Sequence, residues 1–463
     1  MIVLLLLLIP LLGALISYYS ESSRVGKWVL PAAAVIHAAL CGTLIAYPDT
    51  LVLASRVTLM ADFSGILLLS VTSILFLFVA VYTVCWQPAD LELNAAKLGM
   101  KPATFAAVML LLLVTMTLTA VAQNFGVLWV AVEGTTLASA PLINYHRSKG
   151  SLEAMWKYLL ICSIGIGLAL FGTMLISASL YDSHANLNFT NLWFIMASGE
   201  FNSAWFKAGF VLCFAGYALK MGLAPFHTWM PDAYGESASP VSAFLSGGLI
   251  NCALLAVWRL QQIVPDSMWD FSTGYLKFFG FFSLAVAAFF IVRQKDFKRM
   301  LAYSSVEHMG IIALLTAYDQ QDYAVLHMVV HSLLKTGLFL VAGNIFLSYG
   351  TQSVSLVRGV FARLPENGAL WLAGVIFLCG TPPSPLFFTE LALVKAAGIW
   401  AGAAILLLLL IIFCGMSYTV LKMLSPGEAV SPDKRSDRLG RIPAFMLLLV
   451  TLVGILVSWK QLG

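Results

Sequence analysis

The chain has 463 residues, of which 60% are apolar and only 10% charged, against roughly 25% charged in soluble domains. So few charges cannot cover a water-facing surface, which excludes a soluble enzyme or binding domain and makes lipid the solvent for most of the molecule. The net charge of +4 is small and scattered, which excludes an electrostatic footprint for nucleic acid.

Apolar runs of spanning length begin at once. Residues 2–19 have no basic flank before them and read as a span, not a cleavable signal peptide. Residues 27–47 and 62–86 follow, and with the first run make an N-terminal region over 1–102. The next five runs are 103–122, 125–143, 154–180, 206–232 and 238–262, a group over 103–262. Five more, 274–293, 300–317, 323–348, 369–397 and 399–424, fill 274–424, and a last run covers 441–460. The expected fold is therefore an all-α membrane protein of about fourteen transmembrane helices, each able to cross roughly 30 Å of hydrocarbon. The polar segment 182–204 reads as an outer loop.

Basic residues alternate with this count. Arg24, Lys27, Lys97, Lys101, Arg147, Lys149, Arg293, Lys295, Lys298, Arg299, Arg358, Arg363, Lys434, Arg435, Arg438 and Arg441 fall in odd-numbered loops. Few, among them Arg56, Lys207, Arg259, Lys277 and Lys395, fall on the even side. The positive-inside rule makes the odd loops cytoplasmic and puts both termini on the other side of a multi-pass cytoplasmic membrane protein. The seven cysteines, Cys41, Cys85, Cys162, Cys213, Cys252, Cys379 and Cys414, lie in apolar runs without ligand spacing. They read as small buried side chains, which argues against an iron–sulfur cluster.

Two runs are interrupted. One reads Lys220-Met-Gly-Leu-Ala-Pro225-Phe-His227, the other Gly380-Thr-Pro382-Pro383-Ser-Pro385. Proline removes a backbone donor and breaks the helix, and loose backbone in lipid is tolerated only inside protein or beside a wet cavity. Lys220 and Glu390 are offset by about 170 residues, as are the run starts near 103 and 274, which hints at two five-helix repeats with an ion path at their broken helices.

Ionisable residues deep in a span cost roughly 2.5–3.5 kcal/mol each. The list is short: Glu133, Lys220, His327, His331, Lys335 and Glu390, with Lys157, Glu307 and His308 less deep. Glu133 and Lys220 would each favour the other's charged form, as a switchable pair or as a static salt bridge. His327, His331 and Lys335 recur every fourth residue, so they share one helix face over about 12 Å and suit proton exchange. Zinc at the two histidines is the weaker reading, because no carboxylate or cysteine ligand lies near in sequence. Glu390 follows the second break, where it caps the second half-helix or trades protons with solvent.

At these residues a family becomes visible. The strings Val132-Glu133, Lys220 to Ala233, Ser239-Pro-Val-Ser-Ala243, Ala302 to Gly310 and His327 to Lys335 resemble the antiporter-like proton-translocating subunits of respiratory complex I, Mrp-type sodium/proton antiporters and energy-converting hydrogenases. The runs Glu133 to Leu142 and Trp156 to Gly167 are similar to the hydrogenase-4 component F type. The resemblance implies two inverted five-helix repeats within fourteen helices. It implies Glu133 and Lys220 as a coupling pair, Lys335 with His327 and His331 as central carriers, Glu390 as a terminal carboxylate, and Lys157 as a further lysine of the path. Many members bear a titratable bridge on the eighth helix, where this chain has Ser246 and Asn251, able to orient water but not to carry a proton. The long lateral arm of some members is not expected after the last span.

The expectation is thus a proton-translocating, non-redox subunit of a complex I-like or hydrogenase-type membrane complex in a bacterial or archaeal cytoplasmic membrane. It holds no cofactor or metal of its own and works with other membrane subunits and a peripheral redox arm. The alternatives are a proton-channel subunit of an inorganic-carbon accumulation system with a zinc-containing soluble partner, a sodium/proton exchanger, and a scaffold whose path is cut at Ser246 and Asn251.

Overall fold

The computed structural model describes residues 2–20, 23–46, 59–93, 99–181, 186–427, 442–447, 449–450 and 452–453, with the side chains of 23–27 and 93 outside the description. Among them the chain is helical throughout, with no strand beyond isolated bridges. The early helices are α1 (Ile2–Tyr19), α2 (Ser23–Ala46), α3 (Phe63–Leu93) and α4 (Pro102–Val121). Pro102 starts α4 at a position where its missing N–H costs nothing. Asn124 caps α5 (Phe125–Ile143) by accepting from the Gly126 N–H at 2.8 Å. Ser148 and Ser151 form a reciprocal box at the start of α6 (Lys149–Ser179).

Next come α7 (Phe189–Ser198), α8 (Ser203–Met221), α9 (Met230–Glu236), α10 (Ser239–Phe244), α11 (Ile250–Gln262) and α12 (Trp269–Ile291). Asp296 starts α13 (Phe297–Ala317) by accepting from the N–H groups of Lys298 and Arg299. The rest are α14 (Gln321–Tyr349), α15 (Val360–Arg363), α16 (Pro365–Leu378) and α17 (Pro385–Leu424). The last of these changes course at Gly398, whose φ of 79° only glycine adopts freely.

Twelve helical segments of the described residues are long and apolar enough to cross a membrane. Of the expected runs, 369–397 is divided between α16 and the start of α17, and 441–460 lies mostly outside the described residues. Arg56, Lys97, Lys434, Arg435, Arg438, Arg441 and both termini also lie outside them, as do the side chains of Arg24 and Lys27. Two sequence readings need correction. Within the expected outer loop 182–204, Phe189, Leu192 and Met196 recur at helical spacing, and burying them makes α7. Cys85 and Cys414 are exposed, not buried, which costs an apolar side chain nothing where lipid is the solvent.

The helices form two compact units, one of Met1–Ala80, Met100–Met221 and Gly248–Gly274, the other of Val81–Gly99, Gly222–Gly247 and Tyr275–Gly463. In the first, α6 and α8 pack backbone to backbone. Gly172 lies against the Cys213 amide, Gly209 against the Ile176 amide and Gly216 against Ala169, leaving no room for a Cβ. In the second, Gly280 of α12 and Gly310 of α13 face each other in the same way.

Candidate functional site

Lys220 ends α8 and has no solvent exposure. Its Nζ donates to the Val132 carbonyl at 3.1 Å and to the Thr136 hydroxyl, one turn apart on α5. Glu133 projects from the same stretch of α5, half-buried. Its Oε1 accepts from Ser163 of α6 at 2.8 Å and its Oε2 from Thr136 at 3.3 Å. The expected pair is therefore joined through a hydroxyl, since Thr136 Oγ1 accepts from the lysine and donates to the carboxylate. Trp129, one turn before Glu133, fixes α5 on α6 by donating to the Ile166 carbonyl at 2.8 Å, and Ser139 with Tyr158 makes a second link at 2.7 Å.

The second unit repeats the arrangement. Lys335, with no exposure, lies in the middle of α14 and donates to the Leu301 carbonyl and to Ser304 Oγ, at 2.5 Å, on α13. Each lysine thus rests on one backbone carbonyl and one hydroxyl of an adjacent helix. Among the described residues no ion pair joins either to a carboxylate. Glu307, almost wholly buried on α13, lies within electrostatic reach of both Lys335 and Glu390.

His327 and His331 share the face of α14 that the fourfold spacing predicts, and a third imidazole meets them. His308 Nδ1 is 2.9 Å from His327 Nε2, and its ring centre is 5.1 Å from that of His331. His327 Nδ1 lies 2.8 Å from Thr389 Oγ1, next to Glu390. All three rings are fully buried. Both nitrogens of His331 and the Nε2 of His308 meet no partner among the described residues. No cluster of three or more metal-ligating side chains occurs among the described residues.

The interrupted segments have matching backbones. After α8, Gly222 takes a φ of 80° and the Ala224–Pro225 peptide is cis. After α16, Gly380 takes a φ of 62° and the Pro382–Pro383 peptide is cis. The half-buried Glu390 carboxylate lies directly against Gly380, in the space a Cβ there would need. Pro385 opens α17, with Ser384 as its cap.

Lys157 is exposed and pairs with Glu153 at 2.6 Å on the same helix. Ser246 is buried in a short π-helical stretch, Leu245–Leu249, and donates to the Ala243 carbonyl at 3.4 Å; Asn251 is buried at the start of α11. Arg259, read from sequence as a helix-end charge, is buried and forms a two-pronged pair with Asp62 at 2.6 and 2.8 Å over the Phe189 ring. Thr136, Ser163, Ser304 and Thr389 carry no sequence signal, because hydroxyl side chains are common in membrane helices and usually bond their own backbone. His308 had a signal, a histidine within a span, that its apparent depth understated.

Residues 122–417 match the family model described as NADH:quinone oxidoreductase/Mrp antiporter, TM. The hydrogenase-4 component F homolog of Methylacidiphilum infernorum is 36% identical over 294 residues, which are 62% of this chain and 61% of that protein. The chain thus spans about three fifths of that relative's length. A subunit of the archaeal membrane-bound sulfane sulfur reductase superposes with a TM-score of 0.84 at 21% identity, covering 98% of this chain and 94% of its own. A chain of the Mrp complex of Dietzia sp. DQ12-45-1b gives 0.84 at 19%, covering 99% and 95%. At such identities these structures share the fold.

Proposed function

The chain belongs to the NADH:quinone oxidoreductase/Mrp antiporter transmembrane family, and we propose that this antiporter-like subunit translocates protons within a complex I-like or hydrogenase-type membrane complex. One observation carries the reading: two fully buried lysines, each held by a carbonyl and a hydroxyl in place of a carboxylate. A lysine in such a setting can lose and regain its proton without stranding a partner charge. Glu133, through Thr136, is positioned to control the charge on Lys220. Lys335, His331, His308, His327 and Glu390 provide the onward steps, with water bridging where His331 meets no side chain.

In this reading the chain has fourteen transmembrane helices. Residues 103–262 and 274–424 build the two five-helix repeats, and the segments at Pro225 and at Pro382, Pro383 and Pro385 are their broken helices. The repeats run inverted, and both termini lie on the non-cytoplasmic face. Lys157, exposed and paired with Glu153, is a further lysine of the path. Ser246 and Asn251 orient water beside the π-helical stretch, a feature frequent at functional sites. A peripheral arm supplies the redox chemistry.

The test is proton uptake into membrane vesicles carrying the whole complex. Lys335→Met and Glu133→Gln should each lower uptake by roughly tenfold or more, as loss of a proton-transfer group does, with no requirement for sodium. Unchanged uptake in the Lys335→Met complex would overturn the reading, and strict sodium dependence would replace protons with sodium/proton exchange.

A further inference from the structure

We propose that Thr389 is a positioning residue that fixes the direction in which His308 and His327 pass a proton. A threonine hydroxyl has one hydrogen to give, and Thr389 gives it to the Leu386 carbonyl at 2.7 Å. Toward His327 Nδ1, 2.8 Å away, its oxygen is therefore an acceptor, and Nδ1 carries the hydrogen. A neutral imidazole holds one such hydrogen. His327 Nε2 is then bare and accepts from His308 Nδ1 at 2.9 Å, which leaves His308 Nε2 bare as well, at a buried site without a partner among the described residues. The groups around the pair are His331, Lys335, Glu307 and Glu390.

The polarity dictates a sequence of steps. An incoming proton binds His308 Nε2, the one open nitrogen of the pair. The N–H bond at His308 Nδ1 breaks as one forms at His327 Nε2, and the positive charge moves from the first ring to the second. His327 then releases its Nδ1 proton to water on the Thr389 side. Both rings are left with hydrogen on Nε2, so His308 cannot take another proton until the rings exchange tautomers. The pair passes one proton per reset, from His308 to His327. This transport consequence rests on the proton-translocation reading, whereas the tautomers themselves do not.

The experiment is ¹⁵N solid-state NMR of the full chain in lipid bilayers, labelled at histidine, with His327→Asn and His308→Asn difference spectra as assignments. Both rings should carry hydrogen on Nδ1. Thr389→Val, close to the same shape, should shift the His327 population toward Nε2–H by roughly tenfold, the worth of one orphaned buried donor, and Thr389→Ser should restore it. A wild-type His327 protonated on Nε2, or a valine spectrum like wild type, overturns the proposal; the wild-type spectrum decides alone if the valine chain does not fold. Vesicle uptake separates the two ideas. Expected tautomers without wild-type proton flux would sink the functional reading only, and flux with Nε2–H at His327 would sink the polarity only.

Discussion

Two carboxylate–cation relationships in the chain differ in kind. Arg259 and Asp62 make a direct two-pronged pair, a fixed charge couple whose loss on one side would strand a buried ion at a cost of about 3–5 kcal/mol. Glu133 and Lys220 are connected only through the Thr136 hydroxyl. Thr136→Val keeps the shape and removes that connection. We expect it to lower proton uptake by roughly tenfold, in line with about 1–3 kcal/mol for a buried group left unpaired, while Thr136→Ser stays near wild type; equal uptake in all three chains would dismiss the relay. The charged ends of this relay were legible in the sequence, because a Glu and a Lys within apolar runs stand out against hydrocarbon. Its middle was not, because a threonine in a membrane helix is ordinarily satisfied by its own preceding turn. The same blindness hid Ser304 and Thr389, and only packing shows which helix each hydroxyl serves.

At the scale of elements, the interruptions at 222–229 and 379–384 follow from what proline and glycine can do. Their prolines made them legible, and the structure adds that each contains a glycine of positive φ. Gly380 has a second duty, since the Glu390 carboxylate fills the space over its Cα. Gly380→Ala should therefore cost about 1–3 kcal/mol from backbone strain alone and push Glu390 aside. The measurable outcome is a lower midpoint of thermal unfolding in detergent together with slower proton uptake. A substituted chain that melts and transports like wild type would show that the contact is incidental. The π-helical stretch 245–249 had no comparable herald. Its Ser-Gly-Gly sequence carries no signal for a wider turn, and the segment is wholly buried. The helix α7 was missed for the opposite reason, since asparagines flanking a short apolar run read as loop until Phe189, Leu192 and Met196 find a surface to cover.

For the whole molecule, apolar run length carried most of the fold, and twelve of the runs recur as spanning segments among the described residues. Length fails where a run is split, as between α16 and α17, because neither piece alone reaches across. Orientation rests on the distribution of lysine and arginine, which makes a direct prediction. On a cysteine-free background, Ser148→Cys, between α5 and α6, should react with an impermeant maleimide only from the cytoplasm, and Asp319→Cys, between α13 and α14, only from the opposite side. Labelling of both from one side would refute the alternation.

A final consequence comes from how the two buried lysines are held. Dipoles, unlike a counter-ion, carry no net charge to be stranded, so neutralising the amine ruptures no ionic contact. If the chain translocates protons as proposed, hydration threads have to reach the amine, and a bulky apolar plug beside Ser304 is expected to throttle uptake even with every titratable side chain intact.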